Sequence, residues 1–203
     1  MKKILSILAG AALLLAFAAC APGGKDTLTG TPEEILAQLK EDPKVELGMT
    51  FDEAIKPDGG ISNPKNALGL TDEQFAQYVE AAFEAKAAIN TMAQSTSVIK
   101  CKSIADAAEV KKLIAAGFDS NKWICVFPEQ SVVVESGSYV LLAVGEVETT
   151  DALVEAFKAL SDGNIGSPDV FFTFEDAGEG GMEFGGEPID PGDGNGGDIA
   201  VLS

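Results

Sequence analysis

"SVVVESGSYVLLAVG", residues 131–145, decides the fold. Val132–Val134 and Tyr139–Val144 are rich in strand formers, and Ser136-Gly137 between them is turn chemistry, so the stretch predicts a β-hairpin. A hairpin seeds an antiparallel sheet, and the flanking sequence offers it neighbours. Upstream, "TSVIKCK" (96–102) reads as a strand, with Val98, Lys100 and Lys102 alternating against Ile99 and Cys101. Between it and the hairpin, "NKWICVF" (121–127) is a short apolar run, expected to be buried. Downstream, "DVFFTF" (169–174) fits a final edge strand or a segment packed against the sheet.

Helix signals are separate from these. "TPEE" (31–34) gives an N-cap threonine, a proline at the first helical position and a glutamate to close a capping box. Ile35, Leu36 and Leu39 follow as an apolar stripe that Pro43 ends. "TDEQ" (71–74) repeats the capping-box pattern, and Phe75, Tyr78, Val79, Ala82 and Phe83 recur at helical spacing, predicting a helix from Thr71 to about Ala93. That stripe reads as a core face, not as an aromatic binding box. Ser103 caps a third helix to about Ala116, with Ile104, Ala107, Val110, Leu113 and Ile114 inward and Gly117 at its end. A fourth runs from Thr149 or Thr150 to Leu160 on Leu153, Phe157 and Leu160, and "SDGNIGSP" breaks it. Residues 43–69, including "KPDGGISNPKNALG", have the turn chemistry of a long irregular loop.

The pattern predicts one small α+β domain over residues 31–174, with a mainly antiparallel sheet and helices packed on one face. Trp123, Phe75, Phe83, Val133, Leu141 and Phe157 are the expected core.

Composition removes whole classes of function. The 203-residue chain has 14 lysines, no arginine, no histidine and a net charge of −18. Without histidine there is no Ser-His-Asp triad, Cys-His dyad or imidazole metal ligand. Without arginine the best bidentate grip on phosphate is missing. The negative charge opposes nucleic acid, whose binding needs cations to displace counterions. No G-x-S-x-G stretch precedes a helix, no S-x-x-K forms a Ser-Lys site, and no phosphate loop appears. Carboxylate pairs such as Asp52-Glu53 and Glu146-Glu148 invite a glycosidase reading, but in so acidic a chain they read as solvated faces. The chain is therefore expected not to be an enzyme and to need no cofactor.

The N-terminus carries a location. Lys2 and Lys3 precede an apolar run over residues 4–19 that is short for a membrane span, then Ala18-Ala19-Cys20. Two small residues before a cysteine look like a bacterial lipobox, with Phe17 where leucine is usual. Residues 1–19 then form a lipoprotein signal peptide, and Cys20 is the lipid-attachment residue. Ordinary cleavage after Ala16-Phe17-Ala18 and an uncleaved anchor are the alternatives. On the lipoprotein reading the protein sits on the extracytoplasmic face of a bacterial membrane, held by its lipid, and residues 20–30 are a flexible tether.

Two further cysteines, Cys101 and Cys125, pair as a disulfide or stand as two buried thiols. Residues 175–203 hold eight acids, nine glycines and no lysine, and read as a disordered acidic tail. Within it Asp190, Asp193, Asn195 and Asp198 resemble a calcium loop, without the glutamate and flanking helices of an EF-hand.

"GLTDEQFAQYVE", "SVIKCK" and "KWICVFPEQSVVVESGSYVLLAV" together resemble a family of small bacterial lipoproteins of unknown function, found mainly in Gram-positive anaerobes. The resemblance covers about residues 69–146 and the signal peptide. It implies no catalytic residues; only Cys20 carries over. An anaerobic setting also weakens the Cys101–Cys125 disulfide. Two functions remain: a non-catalytic interaction module engaging an envelope protein or wall component, and a small-ligand (solute) binding lipoprotein.

Overall fold

The computed structural model describes residues 25–89, 92–123 and 125–175. Its centre is the expected hairpin. Strands β4 (Gln130–Ser136) and β5 (Tyr139–Gly145) pair antiparallel from Ser136 opposite Tyr139 to Gln130 opposite Gly145. The two-residue turn is Gly137-Ser138, with a positive φ of 56° at Gly137, as a type II′ turn requires. β3 (Ser95–Cys101) adds beside β5, and β6 (Asp169–Thr173) beside β4 as an edge strand. The six-stranded sheet runs β1-β2-β3-β5-β4-β6 with every pairing antiparallel.

The α+β, single-domain, antiparallel reading holds, but the helices do not lie on one face. α1 (Pro32–Glu41) and α5 (Val147–Leu160) cover one side, where Ile35, Leu36, Leu39, Leu153 and Phe157 meet Val98, Val132, Val134 and Leu141. α4 (Ile104–Gly117) covers the other with Ala107, Val110 and Ile114 against Ile99, Val133, Val140 and Leu142. The reason stands in the hairpin sequence. "VVV" and "YVLLAV" do not alternate with polar residues, and a strand that is apolar on both faces is buried on both. Val133, Leu141 and Phe157 are fully buried as expected, whereas Phe75, Phe83 and Trp123 are partly buried and pack at the core's margins.

The capping boxes at Thr31/Glu34 and Thr71/Gln74 both form. The second helix, however, is α3 (Asp72–Tyr78), seven residues long, and the chain turns directly into strand β2 (Val79–Ala87). Its Ala, Glu and Lys favour helix, so the sheet overrides local propensity here. A register shift between Val79 and Ala81 explains the misleading spacing. The extra residue of a bulge puts Val79 and Ala82 on the same face three positions apart, as a helix would. Residues 43–69 are likewise not a plain loop. They hold edge strand β1 (Thr50–Ala54), a 3₁₀ turn (Gly60–Ser62) and the short helix α2 (Pro64–Leu68) capped by Asn63.

Half of the expected tether is packed on the domain. Asp26 Oδ1 accepts from the Ser138 N–H at 2.6 Å, Thr27 Oγ1 donates to the Ser161 carbonyl, and Tyr139 Oη donates to the Gly30 carbonyl. Leu28 is buried in the core. A Cβ on Gly137 would lie 2.6 Å from the Lys25 carbonyl oxygen, so glycine lets this strap cross the hairpin turn. Asp26→Ala removes a charge-assisted bond to a half-buried N–H, and a urea titration is expected to show a loss of about 1.5 kcal/mol. Cys20 and all of the acidic tail beyond Glu175 lie outside the described residues.

Candidate functional site

The chemistry-bearing side chains gather in a groove of about 410 Å³ at the end of the sheet opposite the hairpin turn. In strand β2, Glu84 and Lys86 are two apart and therefore share a face. On β3 their partners across the ladder are Ser97 and Ser95. The 3₁₀ turn and α2 supply Ser62, Asn66 and Ala67 around this polar strip, and the segment after α4 supplies Lys122 and Trp123. Phe51 of β1 and Ile61, both exposed, form the rim.

Glu84 is 2% exposed, and its neighbours explain how a carboxylate is tolerated there. Ser62 Oγ donates to it, Lys86 Nζ lies 3.7 Å from its Oε1, and Lys86 donates to Ser62 Oγ at 2.7 Å. Lys86 also pairs with Glu53, whose carboxyl it holds below the ordinary range. A buried charge survives only when paired and hydrogen-bonded in this way. Ser62 beside Lys86 is wholly buried and its hydroxyl donates a hydrogen bond to Glu84, so it is not presented to the groove as a nucleophile.

Lys122 is the second lysine. Its Nζ donates to the Asn66 carbonyl at 2.6 Å and sits 4.4 Å and 4.7 Å from the ring centroids of Phe118 and Trp123. Burial pushes its ammonium down to about 8, against the pull of Glu84 and Asp119. Trp123 packs on Phe118, which meets Phe171 edge-on at 6.0 Å. The indole is thus fixed at the groove wall.

The groove is also incompletely satisfied. Ser95 is 2% exposed and lines it, and its hydroxyl has no hydrogen-bond partner among the described residues. Ser97, one position deeper on the same face, is in the same condition. Such groups cost about 1–3 kcal/mol each unless something fills the bond.

The residues singled out in the sequence fall elsewhere. Cys101 and Cys125 are both free. Cys101 is buried in the sheet core, where burial and Asp106 push its thiol up to about 12. Cys125 is exposed, in a loop, with φ at 65°. "NKWICVF" is therefore not a buried strand: it forms the groove-side Lys122 and Trp123 and then an irregular, partly exposed passage to β4. Asp52 and Glu53 point to opposite faces of β1. At Asp52 burial works to raise the carboxyl, and bonds from Lys40 and Thr50 overcome it and hold it low. Glu146 and Glu148 line a separate acidic depression. Asp190, Asp193, Asn195 and Asp198 lie outside the described residues. Among the described residues no three His, Cys, Asp or Glu side chains are grouped to hold a metal, and no helix is long and apolar enough to cross a membrane.

Glu84 and Lys86 are not legible as a pair in the sequence because residues 79–87 read as helix, and Ser95 lies just before the strand expected at 96–102. In a helix Glu84 and Lys86 point apart; only strand geometry brings them together. No family model, curated protein or solved structure matches this chain.

Proposed function

We propose that this chain is a lipid-anchored extracytoplasmic binding module, without catalytic activity, whose ligand is a small hydroxylated molecule held in the Trp123 groove. The unpartnered Ser95 hydroxyl at the groove floor carries this reading. A hydroxyl-bearing ligand completes that bond, lays its apolar face on the indole and meets the fixed charges of Lys86, Lys122 and Glu84. A volume of about 410 Å³ suits a ligand of one or two sugar rings. This favours the small-ligand reading over the interaction module that engages an envelope protein.

The anchoring supports the same arrangement. The strap over residues 25–30 meets the domain at the Gly137 turn, while the groove lies at the far ends of β2, β3 and β5. A chain held through Cys20 then presents the groove away from the membrane.

Trp123 is the only tryptophan, so its emission reports on the groove directly. Sugars and soluble wall fragments are expected to shift that emission saturably. A ligand at a hundred times its Kd should also stabilise the fold by about 2.7 kcal/mol. Ser95→Ala should weaken the same ligand about fivefold without lowering stability. If no fragment moves the emission or the melting temperature, the small-ligand reading fails. The exposed Phe51 and Ile61 beside the free edge of β1 favour one second reading, an extended peptide of an envelope protein added to that edge. Phe51→Ala should then abolish cross-linking to that protein in cells.

A further inference from the structure

On the other face of the sheet, a second cavity of about 380 Å³ opens beside the start of α5. Glu46, Glu129 and Glu146 line it, no lysine does, and Phe127 and Phe174 form an aromatic wall with ring centroids 6.1 Å apart. Glu129 Oε2 accepts from the Val147 N–H, the first of α5, and so answers the helix N-terminus. Glu146 precedes that helix without capping it through its side chain, which leaves its carboxylate uncommitted.

Gln94 makes this more than a cluster of acids. It is 5% exposed, and its Nε2 donates to the Glu46 carbonyl at 3.4 Å. Its Cβ and Cγ lie against Gly145, and although Gln94 also borders the Trp123 groove, the bond to Glu46, which lines only this cavity of the two, draws the amide to this side. Its Oε1 has no partner among the described residues. Turning the amide over does not cure this, because it would set the oxygen against the Glu46 carbonyl. The cavity therefore offers a buried acceptor, two free carboxylates and two π faces. A neutral sugar leaves the two carboxylates without a counter-charge, an anion is repelled by them, and a quaternary ammonium has no N–H for Gln94.

We propose that this cavity binds a primary alkylammonium group, with an N–H donated to Gln94 Oε1, the charge balanced by Glu46 and Glu146, and the methylenes against Phe127 and Phe174. A free alkyl amine and the side chain of a peptide lysine share this chemistry.

The test is calorimetric titration of the full chain with 1,5-diaminopentane, with the tripeptide Gly-Lys-Gly and with tetramethylammonium. Saturable binding of either amine, at least tenfold tighter than tetramethylammonium, is expected, and the tighter of the two identifies the source. Gln94→Met should weaken that binding about tenfold while leaving the free protein at least as stable, since it removes an unsatisfied buried oxygen. Glu146→Gln should weaken it about fivefold. Because Gln94→Met changes no charge, it separates the site from general attraction to an acidic protein. Equal affinity for tetramethylammonium, or unchanged affinity in Gln94→Met, would overturn the proposal. Gln94 also borders the Trp123 groove, whereas Glu146 does not, so Glu146→Gln should weaken amine binding and leave the groove's ligand response unchanged, which separates the two sites.

Discussion

Gly69→Ala is expected to destabilise the fold by about 3 kcal/mol, seen as a lower urea midpoint with an unchanged slope. Gly69 ends α2 in the left-handed region, with φ at 73°. Its N–H donates to the Lys65 carbonyl, and the next N–H, of Leu70, reaches back to the Pro64 carbonyl. A side chain in that conformation costs about 1–2 kcal/mol. The second part of the cost is contact. A methyl on Gly69 enters the backbone of Gly117 at the end of α4, and a methyl on Gly117 would in turn lie 2.6 Å from the Gly69 carbonyl oxygen. Two backbones touch here, so relief requires moving a helix, at a further 1–3 kcal/mol or so. Gly163 separates the parts: its φ is 77°, but nothing lies within 4 Å of an added Cβ. Gly163→Ala should therefore cost about 1 kcal/mol, and equal losses at the two sites would show that the Gly69–Gly117 approach is not tight. α2 also carries Asn66 and Ala67 of the Trp123 groove, so Gly69→Ala should weaken the groove ligand as well.

That contact illustrates what the sequence could and could not reveal. Gly69 follows "NPKNAL", and a glycine after a proline-opened turn of helix is a legible stop signal. That it faces Gly117, 48 positions away, is a property of the fold. The hairpin, both capping boxes, the Ser103 cap and the β6 edge strand were legible because each is set by neighbours in sequence. The failure at residues 79–87 has a local cause too: "EAAFEAKA" prefers helix, and only the free edge of β3 makes a strand there. The groove depended on that error. With β2 read as helix, Glu84 and Lys86 share no face, and Ser95 falls one residue outside the strand expected at 96–102, whereas β3 begins at Ser95. Lys122 and Trp123 were visible as a distinctive pair, but nothing local indicates that Lys122 folds over the indole.

Lys122→Met is expected to stabilise the protein by about 2 kcal/mol at pH 7, and above about pH 10.5 the gain should turn into a loss of about 1 kcal/mol. Burial lowers the Lys122 ammonium from 10.5 to about 8 in the folded state. Below pH 8 the lysine is charged in both folded and unfolded chains, and the fold bears the full cost of burying the charge. That cost is about 3 kcal/mol for a shift of this size. Between about 8 and 10.5 the unfolded chain binds more protons than the folded one, so stability rises with pH. Above 10.5 both forms are neutral and the cost is gone. Methionine never carries it, but it gives up the bond to the Asn66 carbonyl, about 1 kcal/mol, hence the smaller net gain at neutral pH. The chain contains no histidine, so no imidazole titration overlaps this window. Trp123 supplies an independent readout, because the titrating nitrogen lies 4.7 Å from its ring. Its emission should follow a single transition with a midpoint near 8, absent in Lys122→Met. A groove ligand that brings an anionic group to Lys122 should move the midpoint up, and one that only excludes water should move it down. An emission that stays flat from pH 6 to 10 in the parent chain would mean that Lys122 is solvated, and that the groove is open water rather than a prepared site.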